Sequence, residues 1–228
     1  MRIPLTKYGW PQVVVIPAVL IVAMVVFAVG TKAFLPLWAI IVVEGLLAGV
    51  LIFSLAFFRD PLRQGPTETN LLLAPADGRI TDIEIEEGTV LRIGIFLSIF
   101  NTHINRAPCN VKVEEIAYKK GRYKNAMNPQ SAQVNESNDL SLTRTDSPQD
   151  RLILRQISGA IARRIVCDTK EGQELSAGEK FGMIKFGSRT ELYVTSQDSK
   201  YKMKCLVQKG DKVKAGLTPL VRYEACQN

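Results

Sequence analysis

Three residues of this 228-residue chain have the types that nucleophilic chemistry needs, and they lie far apart in sequence. Ser188 sits in Phe186-Gly187-Ser188-Arg189, between two apolar runs. His103, the single histidine, sits in Phe100-Asn101-Thr102-His103-Ile104-Asn105-Arg106-Ala107-Pro108, and Asp77 in Ala74-Pro75-Ala76-Asp77-Gly78. A hydroxyl, an imidazole that titrates near neutrality and a carboxylate are the set a serine hydrolase uses. Each also has an ordinary reading. Gly-Ser is a common turn between strands, a lone histidine is commonly a hydrogen-bonded structural residue, and Asp-Gly forms turns ahead of strands. Taken singly, none of the three decides anything.

Other chemistries have less support. Cys109, Cys167, Cys205 and Cys226 are separated by 58, 38 and 21 residues, with no close pair, and one histidine cannot build a histidine-rich metal site. No metal is expected. Neither a phosphate-binding G-x-x-x-x-G-K-[ST] run nor a strand-linked G-x-G-x-x-G is present, so nucleotide binding has no basis. The basic clusters Lys119, Lys120, Arg122, Lys124 and Arg163, Arg164 suit an anionic surface or simply a solvated face.

The elements that must carry these residues are of two materials. The chain holds 29 Lys+Arg and 22 Asp+Glu, yet residues 1–58 contain only Arg2, Lys7, Lys32 and Glu44. Residues 13–29 carry no charge and residues 33–58 only Glu44, which as helices would be roughly 26 and 39 Å long against a hydrocarbon core of about 30 Å. A transmembrane α-hairpin over residues 1–58 is expected, turning at Gly30-Thr31-Lys32, because a cleaved signal would not be followed at once by a second apolar segment. Arg2 and Lys7 precede it, and Arg59 and Arg63 follow it. The positive-inside bias therefore places both ends, and a domain of residues 59–228, on the cytoplasmic side of a cell membrane. Anionic lipid headgroups are then the nearer partner for the basic clusters, and nucleic acid is not expected. Glu44 marks either a function or a helix-helix contact.

From residue 66 onward, short β-rich runs alternate with Gly, Pro and Asn/Asp signals, which predicts a mainly β fold, a β-sandwich or barrel-like domain. Expected strands include Arg79–Ile85, Val90–Phe100, Val111–Tyr118, Leu140–Thr145, Leu152–Ile157, Ala160–Cys167, Phe181–Phe186 and Leu192–Thr195. Residues 171–178 and 209–216 share the pattern G-x-x-[LV]-x-A-G, in which flanking glycines allow positive φ and the aliphatic residue plugs a core. Such turns occur in lipoyl-like hammerhead folds. Polar residues 124–150 read as a long loop.

Taken in order, these segments resemble the short, membrane-anchored type of phosphatidylserine decarboxylase, including its archaeal-type (archaetidylserine decarboxylase-like) relatives. The match comprises the apolar hairpin, Phe57-Phe58-Arg59-Asp60-Pro61-Leu62-Arg63, Pro75-Ala76-Asp77-Gly78, residues 101–108, Gly159-Ala160-Ile161-Ala162-Arg163-Arg164-Ile165-Val166-Cys167 and residues 181–189. The resemblance implies a zymogen that cuts itself between Gly187 and Ser188 into a β chain of residues 1–187 and an α chain of residues 188–228, which stay together as a heterodimer. Ser188 becomes a covalent pyruvoyl group that takes the substrate amine as a Schiff base. The implied processing base is His103, oriented by Asp77, and the implied reaction is decarboxylation of phosphatidylserine, or of the archaeal-type serine ether lipid, to the ethanolamine lipid. The chemistry fits: an α-amino acid loses carbon dioxide only into an electron sink, which no standard side chain supplies, and a glycine carbonyl tolerates the twist that attack by Ser188 Oγ demands.

The chain departs from that pattern twice. Larger members carry a second histidine where Arg106 stands, and an Asn-Glu-Arg-Asn-like segment reads here as Asn135-Glu136-Ser137-Asn138. Two rival functions remain at this stage: a non-enzymatic, membrane-anchored lipoyl-like adaptor, and a membrane-tethered serine hydrolase built on Ser188, His103 and Asp77.

Overall fold

The structure, a computed structural model, describes residues 5–86, 90–128, 130–160, 164–185, 187–196 and 200–226. It divides into two compact units, Met1–Leu62 and Arg63–Asn228. In the first, α1 (Gln12–Thr31) and α2 (Leu37–Phe57) take up the charge-poor segments. Both are apolar on every side, and at about 1.5 Å per residue each reaches the thickness of a bilayer core. Val14, Val19, Val22, Leu46 and Ile52 are exposed, so protein does not cover them. The helices are long and apolar enough to cross a membrane, which is consistent with membrane anchoring. The connection differs from the expected three-residue turn. The Thr31 hydroxyl donates to the Phe27 carbonyl at 2.6 Å, and α1 runs on through Gly30 and Thr31. Pro36, in extended conformation and lacking an N–H, then delays α2 to Leu37.

The second unit is mainly β, as its pattern of short runs and turns requires. Its first strands are β1 (Leu71–Leu73), β2 (Gly78–Glu86), β3 (Val90–Leu97), β4 (Ile104–Arg106) and β5 (Val111–Lys119). After a single helical turn, α3 (Ser131–Val134), come β6 (Ser137–Arg144), β7 (Arg151–Ile157), β8 (Ile165–Cys167), β9 (Glu174–Leu175) and β10 (Lys180–Ile184). The last are β11 (Ser188–Thr195), β12 (Tyr201–Cys205), β13 (Lys212–Val213) and β14 (Pro219–Ala225). An eight-stranded sheet runs β13-β2-β3-β11-β7-β6-β5-β9, and two small sheets, β1-β14-β12 and β4-β10-β8, complete the unit.

On the inner face of the large sheet, Ile83, Ile93, Leu192, Leu154, Leu140 and Ile116 are register partners across six adjacent strands, one continuous aliphatic row. That row is the core, and the alternation of period 2 along each strand creates it. The two G-x-x-[LV]-x-A-G turns lie at opposite edges of the sheet. Leu175 in β9 and Val213 in β13 are both buried in the core, and Gly172, Gly178, Gly210 and Gly216 all have positive φ. Although their strands are at the two edges, a β-carbon on Gly178 or Gly216 would stand 3.3–3.8 Å from the other's Cα, so the two turns are neighbours. The sheet is therefore curled, the barrel-like form that the turns foreshadow.

Within the loop expected over residues 124–150, the expected strand Leu140–Thr145 is present and begins earlier: Ser137–Arg144 pairs between β5 and β7, and Asn138 is buried there because it finds a partner, donating to Gln156 Oε1 at 3.1 Å. β11 likewise begins at Ser188 and not at Leu192, since Arg189 and Glu191, which disguise it as polar chain, neutralise each other at 2.7 Å while fully buried. The expected strand Ala160–Cys167 is shorter, Ile165–Cys167; residues 161–163 and Phe186 lie outside the described residues.

Candidate active site

β10 hands the chain from a small sheet to the large one. The Ile184 N–H donates to the His103 carbonyl and the Lys185 N–H to the Arg164 carbonyl, each at 3.2 Å, and β11 starts three residues later at Ser188. Gly187, immediately before it, has φ +60, a conformation that side chains disfavour. Ser188 is fully buried on the inner face of β11, and among the described residues its Oγ has no hydrogen-bond partner. A buried hydroxyl without a partner costs folding energy, which marks Ser188 as a residue kept for something other than stability.

His103 is held at that junction. A turn in which Asn101 Oδ1 accepts from the Ser98 N–H and Oγ, both at 2.9 Å, sets the Asn101 carbonyl 3.0 Å from His103 Nδ1. The Gly187 N–H meets His103 Nε2 at 3.3 Å. A carbonyl can only accept and an amide N–H can only donate, so the two contacts together describe a neutral imidazole with its proton on Nδ1. The Nε2 lone pair is turned to Gly187, the residue before Ser188, where it accepts the N–H; the tautomer is the one a base needs.

Asp77 is placed elsewhere. Its carboxylate takes both terminal nitrogens of Arg63, one at 2.5 Å and the other at 2.8 Å, and the Ala215 N–H at 2.8 Å. The expected orienting contact of Asp77 on His103 is thus replaced by the Asn101 carbonyl. Asp77 instead fixes the Pro75–Gly78 turn. Pro75 in that turn accepts the Arg106 N–H at 2.9 Å, so Asp77 reaches the histidine segment at one remove. The physical reason is competition: a guanidinium offers a forked, charge-assisted pair that a neutral imidazole cannot match.

Under Ser188 the inner face turns from aliphatic to polar. Thr190, Gln156 and Asn138 are register partners one pleat away, and Asn105 from β4 joins them. Asn138 Nδ2 donates to Gln156 Oε1, Gln156 Nε2 to Asn105 Oδ1 at 2.9 Å, and Asn105 Nδ2 to Thr190 Oγ1 at 3.1 Å. The opposite face is ionic. Arg189 donates to Asp82 through Nη2 at 2.7–2.8 Å and to Glu191 through Nε, and Arg92 joins both acids. Burial opposes the charge on Asp82, but the Arg189 and Thr81 hydrogen bonds and the charges of Arg189 and Arg92 outweigh it and hold the carboxyl below its ordinary range. Lys185, also buried, is shifted down by burial and then by Arg164.

Residues 50–220 match the family model described as phosphatidylserine decarboxylase. The chain belongs to the phosphatidylserine decarboxylase family. Curated relatives each bear the name phosphatidylserine decarboxylase proenzyme. That of Azorhizobium caulinodans is 37% identical over 98% of this chain and 91% of its own length. That of Chlorobium chlorochromatii is 37% identical over 96% of this chain and all of its own. That of Pelagibacter ubique is 38% identical over 78% and 84%.

Within this phosphatidylserine decarboxylase fold, one departure from the family pattern, Arg106, has an account. Arg106, where larger members have histidine, donates Nη1 to the Gly178 carbonyl at 2.8 Å and lies against Gly216, so it ties together the two hammerhead turns. Ser137 opens β6 beside Asn135, whose amide accepts from the Lys124 N–H and donates to the Lys124 and Ser158 carbonyls. Sequence reasoning missed Asn105, Gln156 and Thr190 as a group. Their only signal was polar residues inside otherwise apolar strands.

Proposed function

We propose that this chain is the precursor of a membrane-anchored, pyruvoyl-dependent phosphatidylserine decarboxylase that cuts itself between Gly187 and Ser188. The observation that carries the reading is the junction itself: a buried, unpartnered Ser188 Oγ beside Gly187 at φ +60, with His103 Nε2 on the Gly187 N–H. The proenzyme names of the relatives support it.

His103 Nε2 takes the Ser188 hydroxyl proton as Oγ bonds to the Gly187 carbonyl carbon, and Ser188 N takes a proton as the C–N bond breaks, leaving an ester. Loss of the Ser188 α-proton then expels the Gly187 carboxylate, and water replaces the nitrogen, which departs as ammonia. The residues fit the group that results, since it inherits the buried place of Ser188 between His103 and the Asn105-Thr190 pair. When present, a pyruvoyl carbonyl supplies the electron sink that decarboxylation of an amino acid requires. His103, already buried at the site, holds the proton that the carbon left by carbon dioxide must receive.

The two chains stay paired because β11 is hydrogen-bonded between β3 and β7 and Arg189 is bound to Asp82 of the other piece. The substrate is the serine phospholipid of the anchoring membrane, and the chemistry is confined to its headgroup. Exposed Lys120, Arg122, Lys124 and Arg164 face anionic headgroups from the cytoplasmic side. Intact-mass measurement of protein purified from membranes tests the reading. It should give two chains, of which the smaller has no free amino terminus and reacts with carbonyl reagents. A single full-length chain in an active preparation would sink it.

A further inference from the structure

Gly187 is gripped from two sides, and only one grip is His103. A β-carbon placed on Gly159 would stand 2.0 Å from the Gly187 carbonyl oxygen and 3.0 Å from its carbon, with the Ala126 Cβ at 3.3 Å. Gly159 thus lies with its Cα directly against the carbonyl that self-cleavage would attack. The corner that carries it is fixed. Ser158 donates both its N–H, at 2.9 Å, and its Oγ, at 3.1 Å, to the Glu136 carbonyl, and its own carbonyl accepts Asn135 Nδ2 at 2.8 Å. Ser158 and Asn135 are fully buried, so these bonds are not shared with solvent.

We infer that the Ser158-Gly159 corner is a positioning element for self-cleavage: it sets the direction of the Gly187 carbonyl toward Ser188 Oγ, and only glycine at 159 lets the carbonyl sit there. The inference rests on the self-cleavage reading above. Attack on an amide succeeds only along a narrow approach to the carbonyl carbon, and a misplacement of about 1 Å costs about a hundredfold in rate. Backbone lies on both sides of the clash, so neither side yields as a flexible side chain would. The same placement gives the Asn135-Glu136 segment a task, since it holds the corner and does not touch the reacting bond.

Gly159→Ala in the full chain should accumulate uncut precursor, cutting about a hundredfold more slowly than wild type by intact mass. Alkaline hydroxylamine, which releases the small chain from an ester, should release none, because the block precedes ester formation. Gly65→Ala is the control: its β-carbon would meet the Gly216 carbonyl oxygen at 2.1 Å, an equal backbone clash away from the Gly187 carbonyl, and it should lose stability yet still cut. A folded Gly159→Ala that cuts at the wild-type rate, or that yields the small chain with hydroxylamine, overturns the inference. If Gly159→Ala does not fold, Ser158→Ala decides. It loses one bond to Glu136 and should cut about tenfold more slowly; an unchanged rate overturns the proposal. Wild-type protein that never cuts would instead remove the self-cleavage reading itself, so the two failures are distinguishable.

Discussion

Ser188 and His103 should respond to substitution in opposite ways. Ser188 Oγ contributes no hydrogen bond, so Ser188→Ala should remain one chain while unfolding no earlier than the wild type on thermal melts. His103 is wholly buried: removing it to alanine would open a cavity and strand both the Gly187 N–H and the Asn101 carbonyl. His103→Gln keeps volume and polarity and is the better probe. It should slow cutting by about 10²–10⁴-fold, the usual value of a general base. Asp77→Asn should slow cutting far less, because Asp77 grips Arg63 and Ala215 and reaches His103 only through the Pro75–Gly78 turn. Equal losses in the two variants would restore a direct Asp77-His103 role.

Among the elements, β11 carries both halves of the story. Its inner face presents Ser188 and Thr190, and its outer face presents Arg189 and Glu191 to Asp82 and Arg92. Because the folded Asp82 carboxyl titrates below its ordinary value of 3.8, its contribution to stability is fully present above that value. It is lost as pH falls through the depressed folded value, where the folded state must also take up the proton. Thermal unfolding followed from pH 6 down to 2 should therefore show an acid limb that begins below about pH 4. Asp82→Asn should lower stability at neutral pH by about 3 kcal/mol or more, by leaving buried arginine charge under-compensated, and should flatten that limb. An acid limb of equal steepness in the variant would show that the cluster does not set it. Arg189 and Asp82 lie on opposite sides of the proposed cut, so protein processed there should co-purify as a pair until it is acid-unfolded.

At the scale of the whole molecule, anchoring and orientation are the open quantities. Cys226 is exposed near the end of the β unit, whereas Cys109 is buried and its thiol is pushed up to about 12 by burial. A membrane-impermeant maleimide added to right-side-out vesicles should therefore label Cys226 only after permeabilisation. Labelling of intact vesicles would move the catalytic unit to the outer face.

What the residues alone determined is what depends on local pattern. Runs of bilayer length with no charge but Glu44 made two apolar helices, and period-2 runs broken by glycine made a mainly β unit. A repeated G-x-x-[LV]-x-A-G made two turns with the positive φ that glycine permits, and the ordered set of motifs pointed to the family. The tertiary structure decided what depends on which distant groups meet. That the two repeated turns sit at opposite sheet edges and are neighbours follows from sheet curl, which no local window encodes. That the strand expected from Leu140 already begins at Ser137 depended on Gln156 being there to satisfy Asn138. That Arg63 wins Asp77, leaving His103 to the Asn101 carbonyl, is a competition between charge-assisted and neutral partners some distance apart in sequence. That Gly159 must be glycine is legible only once the Gly187 carbonyl lies against it, because a glycine's reason is the atom that occupies the space its side chain lacks.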